Sequence, residues 1–230
     1  MLKFNKRVRE ISIKSSSLSG VVNINSVRQP IQFESSLERD FIFLLEFDRD
    51  IKQYLEQPLE IVYMDKSGKQ RKYIPDFIIT YYDRATEIVE IKYESSLNEM
   101  REELQMKFLA AKKYCEKKGF IFKVVTDKYI REEKIIELEN CIFLSRYKDF
   151  FDNIDKQKSA FPPINNDLTS LYKSMRSLGK TSVRELVSKN TRDENKQAEL
   201  IFLTWYMVAN NYLYVNFTEK LTLNSLVWLS

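Results

Sequence analysis

The chain has 230 residues, 43% apolar and 30% charged with a net charge of +4, enough for one large domain or two modest ones with real cores. It holds no histidine, two cysteines (Cys115 and Cys141) and four glycines. Those counts exclude Ser-His-Asp triads, Cys-His pairs and the usual zinc sites, and no glycine stands in a phosphate-cradling loop, so any catalysis falls to carboxylates and lysines.

Residues 1–33 are expected to form an irregular basic arm, with a loose serine-rich stretch at 15–20. Lys3, Lys6, Arg7, Arg9 and Lys14 are its candidate DNA-phosphate contacts, and a solvated terminus is the alternative. The basic start lacks the apolar stretch of a signal peptide, and no run is long and apolar enough to span a membrane. Cytoplasmic placement in a prokaryotic cell is the expectation, with both cysteines as buried thiols.

A helix is predicted over 36–49, where Leu37, Phe41, Leu44 and Leu45 share one face. Pro58 precedes an extended run over 59–64, and 65–68 reads as a turn. Runs 71–82 and 86–93 read as strands joined at Asp83-Arg84, so 59–93 is expected to be a three-stranded meander. A long helix over 97–118 follows, ended by Gly119 in the left-handed position. A buried strand over 120–125, a short helix over 131–138 and a further strand over 141–144 complete a catalytic domain expected over 34–150. The order predicts an α/β (α+β) fold, a mixed sheet flanked by helices.

Pro162-Pro163 and their polar neighbours suggest a linker over 151–166. Helices over 167–178, 182–189 and 196–210, then a hairpin of 212–217 and 221–228, give a winged-helix-like order over 167–230. The helix bearing Trp205 is too apolar for a recognition helix, so this tail is expected to bind partner protein at least as much as DNA. Lys and Arg outnumber Asp and Glu ten to six over 156–230, whereas acids lead 26 to 21 over 31–155. Basic ends suit phosphate and an acidic middle suits a metal, although ordinary surface charge is the bland alternative.

The central signal is Pro75-Asp76 followed, fourteen residues on, by Glu90-Ile91-Lys92. Strand alternation points Glu90 and Lys92 to one face, and the hairpin brings Asp76 within a residue or two of Lys92. Two carboxylates and an ammonium then meet at one spot, where the acids can hold Mg²⁺ and the lysine can orient or activate water. Glu38 offers a third carboxylate, its helical neighbours Phe41, Ile42 and Leu45 all being apolar. An acid on the edge of an apolar face is costly unless something pairs with it. Asp followed at a distance by Glu-x-Lys arises by chance in a chain this charged. Its place between buried runs, behind Glu38 and ahead of a long helix, is what singles it out. Tyr73, Tyr81 and Tyr82 are expected to pack in strands.

Ser36-Leu37-Glu38, Glu56-Gln57-Pro58, Pro75-Asp76-Phe77, Glu90-Ile91-Lys92 and Thr126-Asp127-Lys128 stand in the order and spacing of TnsA. TnsA is the endonuclease subunit of a family of heteromeric cut-and-paste transposases. The resemblance covers about residues 30–150, and the tail looks like that family's C-terminal domain. It implies a restriction-endonuclease-like core with two Mg²⁺ ions, for which Mn²⁺ would substitute. It implies Glu38, Asp76, Glu90 and Lys92 as catalytic residues, and Glu38, Asp76, Glu90 and the backbone carbonyl of Ile91 as metal ligands. The family often has Gln where Glu90 stands, so this chain adds a negative charge there. The implied substrate is double-stranded DNA at transposon ends, nicked on the 5′, non-transferred strand. A DDE-type transposase subunit would cut the 3′ ends and an AAA+ regulator ATPase would engage the complex. A stand-alone Mg²⁺ nuclease for restriction, repair or phage defence is the alternative reading. A catalytically idle DNA- or protein-binding adaptor is a further one, though an adaptor is expected to lose one of the four site residues and none is lost.

Overall fold

The computed structural model describes residues 7–9, 19–22, 30–99, 102–151 and 162–229. Their contacts divide into two units, with the break between residues 135 and 136.

In the first unit, β1 (Gly20–Val22) pairs antiparallel with β2 (Ile31–Phe33). Gly20 faces Phe33, and a Cβ there would stand 2.7 Å from the tip of the ring, so a larger residue would require the ring to move. Ile31 and Phe33 are buried, so the end of the expected arm belongs to the folded unit. The helix α1 (Ser36–Phe47) starts where the Ser35 hydroxyl accepts from the Glu38 amide at 3.1 Å, an N-cap, and it buries Leu37, Phe41, Ile42 and Leu45.

Four strands form the central sheet: β3 (Ile51–Glu56), β6 (Phe77–Tyr81), β7 (Glu87–Lys92) and β8 (Ile121–Thr126). They lie in the order β3-β6-β7-β8, antiparallel except for the parallel β7–β8 pair. A parallel pair needs a crossover, and α2 (Glu94–Asn98) and α3 (Glu102–Lys118) lie on it. Alternation puts Phe77 on one face, edge-on to Phe41 of α1 at 5.6 Å, and Ile78 on the other. On that second face Ile78 and Ile88 share a core with Ala111 and Cys115 of α3. The separate hairpin of β4 (Ile61–Met64) and β5 (Gln70–Tyr73) adds Ile61 and Tyr73 to it.

The mixed sheet flanked by helices matches the expected fold class, but the expected meander does not form. Run 71–82 splits into β5 and β6 around Pro75, which has no N–H to give a ladder. β6 takes as its second partner β3, which was not anticipated. Gly119 does adopt a positive φ of 69° after α3. The expected helix over 131–138 is a π-helical turn at Tyr129–Glu133 followed by α4 (Ile135–Ser145). That helix also takes up 141–144, expected as a strand: Leu138, Cys141 and Leu144 are buried at helical spacing.

The unit break falls at 135, not at the expected boundary of 150, because the residues after it pack into the second unit. Phe143 meets Trp205 edge-on at 5.4 Å, and Phe150 meets Phe202 at 4.9 Å. Asn140 is buried but satisfied, donating to the carbonyls of Phe217 and Glu219 and accepting from the Leu221 amide. The rest of that unit is α5 (Pro162–Leu178), β9 (Thr181–Ser182), α6 (Val183–Asn190), α7 (Glu194–Ala209), β10 (Leu213–Val215) and β11 (Leu226–Leu229). Its three strands form an antiparallel sheet in the order β10-β11-β9. The expected linker over 151–166 lies largely outside the described residues, and the chain is already helical from Pro162. No helix among the described residues is long and apolar enough to cross a membrane.

Candidate active site

The β6–β7 register pairs Phe77 with Val89, and one step further Asp76 stands opposite Glu90. Asp76 Oδ2 accepts from the Ile91 amide at 2.6 Å, which locks the carboxylate onto the end of β7. Glu90 is 4% exposed, on the α3 face of the sheet. Its Oε2 accepts from the Tyr73 hydroxyl at 2.6 Å, and its Oε1 lies 2.6 Å from the ammonium of Lys92. Lys92 Nζ also donates to the Ile91 carbonyl at 3.0 Å. Glu38, in the first turn of α1, accepts from the Glu34 amide through Oε2 and from the Ser35 hydroxyl through Oε1, both at 2.9 Å.

The charges of these four groups are felt across the cluster. Burial pushes Asp76 well above the usual carboxylate range; the charge of Glu90, and behind it Glu38, adds to this, while Lys92 and the Ile91 amide pull back. Burial also raises Glu38, against the lowering hydrogen bonds from Glu34 and Ser35. Burial alone would depress Lys92, but the carboxylates of Glu90, Asp76 and Glu38 outweigh it and hold its pKa above the ordinary lysine value. Lys92 is therefore an ammonium at neutral pH. It can orient an oxygen nucleophile and balance negative charge, and it is poorly suited to abstract a proton.

Among the described residues no three Asp, Glu or Cys side chains are grouped closely enough to hold a metal ion between them. The physical reason lies in the hydrogen bonds: Glu38 is drawn to its own helix start, Asp76 to the Ile91 amide, and Glu90 to Tyr73 and Lys92. The chemistry of the donors nonetheless suits a hard divalent cation, since all are carboxylate oxygens and they carry more negative charge than Lys92 cancels.

A family model described as the TnsA-like endonuclease N-terminal domain matches residues 48–127. That segment, about a third of the chain, is similar to the N-terminal domain of TnsA-like endonucleases. No curated protein matches the chain. The matched segment carries Tyr73, Asp76, Glu90 and Lys92, while Glu38 stands before it.

Other expected motifs prove to be structural. Asp127 Oδ1 accepts from the Glu94 amide at 2.8 Å and caps α2, and Thr126 Oγ1 accepts from the Tyr129 amide. Gln57 is held in the left-handed region at φ 44°, and its amide donates to the Asp76 carbonyl at 2.8 Å. Of the candidate DNA contacts, Lys3, Lys6 and Lys14 lie outside the described residues. Arg7 is not free for phosphate: it donates to Glu56 at 2.7 Å and to the Pro30 carbonyl at 3.2 Å. Arg9 is paired with Glu34.

Tyr73 is the site residue that sequence reasoning passed over. It was expected only to pack, and it does pack, but its hydroxyl also holds Glu90. The readable signal was its place three residues before Asp76, on the strand leading into the site.

Proposed function

We propose that the chain is a divalent-metal-dependent DNA endonuclease that serves as the 5′-end-cutting subunit of a heteromeric transposase. The reading rests on the convergence of Asp76, Glu90 and Lys92 at the ends of β6 and β7 inside the TnsA-like domain. Glu38, Asp76 and Glu90, with the Ile91 carbonyl once Lys92 lets it go, would hold Mg²⁺ or Mn²⁺, as one or two ions. Such an ion supplies Lewis-acid polarisation of a phosphoryl oxygen and a lowered pKa of bound water.

The chain's own groups do the rest. Lys92 stabilises charge that grows on the phosphoryl oxygens as the bond is attacked. Ile91 N–H fixes one oxygen of Asp76, so that carboxylate presents its other oxygen in a set direction, while Tyr73 and Lys92 hold one oxygen each of Glu90. The order of helices and strands in the second unit supports a winged-helix-like domain, and its last helix α7 buries Leu200, Leu203, Trp205 and Val208. A helix so apolar leaves little polar face to read base edges, which favours protein partners for this unit.

Without a sequence reader of its own, the nuclease depends on delivery. We place a DDE-type transposase in that role and an AAA+ ATPase as regulator, both following from the TnsA resemblance. The test is a plasmid carrying the ends of the element that encodes this chain, incubated with Mg²⁺ and this protein. The expected result is 5′-strand nicking only when the transposase partner is added. Efficient, site-specific cutting by this protein alone would overturn the subunit reading in favour of a stand-alone nuclease.

A further inference from the structure

Glu38 reaches the site from a helix that shares no strand pairing with β7, so something must set the two in register. Arg131, in the π-helical turn after β8, ties α1 to the strand that runs beside β7. Its Nε and Nη2 donate to Asp40 Oδ2 at 2.9 and 2.7 Å, and Nη2 also donates to Ser36 Oγ at 2.8 Å. Ser36 and Asp40 flank Glu38 on either side within the first turns of α1. The strand before that turn, β8, runs parallel to β7 with Thr126 beside Lys92. Asp40 is 4% exposed, and its other oxygen accepts from Arg39, so its carboxylate is fully engaged.

We infer that Arg131 is a positioning residue, a fork that holds the Glu38-bearing start of α1 at a fixed distance from the Lys92 end of β7. Three features favour this over simple packing. The contacts bridge 91 and 95 residues of chain, so the helix start is not fixed by local sequence alone. A planar guanidinium can serve Asp40 and Ser36 together, which a lysine ammonium cannot do with the same geometry. Single-turn π-helical segments also recur where a side chain must be aimed at a functional site, and Arg131 sits in the middle of one.

The inference rests on the metal-nuclease reading, and the experiment keeps the two apart. Mn²⁺ alone is titrated into the full chain, with calorimetric affinity and melting temperature as readouts and no DNA present. The expected result is that Arg131→Lys melts close to wild type without metal but binds Mn²⁺ roughly tenfold more weakly, the usual scale for disturbing the partners of a metal ligand. Methylguanidinium should restore the affinity of Arg131→Ala. In a Glu38→Gln background Arg131→Lys should cause no further loss, because both act through Glu38. Should Arg131→Lys fail to fold, Ser36→Ala removes one contact of the fork, with a smaller loss in the same direction. Wild-type affinity in Arg131→Lys, or an undiminished loss in the Glu38→Gln background, would overturn the positioning role. A wild-type chain with no Mn²⁺ response overturns the nuclease reading itself, and the positioning role with it.

Discussion

Asp76 and Lys92 sit in one cluster and are pushed the same way for opposite reasons. Burial and carboxylate neighbours disfavour the charged form of Asp76, whereas the same neighbours favour the charged form of Lys92. For Asp76 the folded pKa exceeds the unfolded one, so its contribution to stability is present at low pH and lost as pH rises through the folded value. The metal-free chain should therefore gain from Asp76→Asn at neutral pH, melting a few degrees higher, with the gain fading as pH falls toward about 4. The same raised pKa means a proton must leave before a cation binds. Mn²⁺ affinity should then keep climbing with pH above about 5, where ordinary carboxylates are already ionised. A calorimetric titration that is flat across that range would count against Asp76 as a ligand. At this scale the sequence was readable where spacing carried the chemistry, as for Asp76, Glu90 and Lys92. It was silent on Tyr73 and Arg131, whose partners come from β7 and α1, far away along the chain.

At the level of elements, α1 and the β4–β5 hairpin each hold one carboxylate of the site. Ser35 accepts from the Glu38 amide while its hydroxyl donates to the Glu38 carboxylate, so Ser35→Ala loses a cap and frees a ligand at once. Denaturant unfolding should show a loss of about 1 kcal/mol. Tyr73→Phe removes the donor to a buried carboxylate and should cost about 1–3 kcal/mol by the same measurement, with little change in the core that its ring fills. Elements were legible where period and punctuation agreed: α1, β7, the Gly119 helix end and α7. They were misread where they did not. Lys52 and Gln53, consecutive and exposed at an irregular register, broke the alternation of β3 and hid it as an edge strand. Cys141 to Leu144 is a four-residue apolar run, too short to show whether its period is that of a strand or a helix. The pairing of α4 with the C-terminal turn through Asn140 decided it.

For the molecule as a whole, the charge of Arg7 at the N-terminal end is structural. Arg7 is only 14% exposed and bound to a buried Glu56, so Arg7→Ala takes away that carboxylate's cation, leaving it the Gln32 amide, and should destabilise the fold by about 3 kcal/mol in thermal or denaturant unfolding. Salt dependence of DNA binding should instead track Lys3, Lys6 and Lys14: replacing these three by alanine should shallow the slope of log affinity against log salt. An unchanged slope would remove the arm from DNA. The two units answer different questions in this reading, one holding the chemistry and the other the partner. The family match lies wholly within the first. The claim on which all of this depends is that the first unit cleaves phosphodiester bonds through the Glu38–Asp76–Glu90–Lys92 cluster. It is tested most directly by strand nicking in the partner-supplemented Mg²⁺ reaction, with wild type and Lys92→Ala compared at equal DNA occupancy. The expected result is unchanged DNA binding and a loss of nicking of about 10²–10³-fold in Lys92→Ala; nicking at the wild-type rate would contradict it.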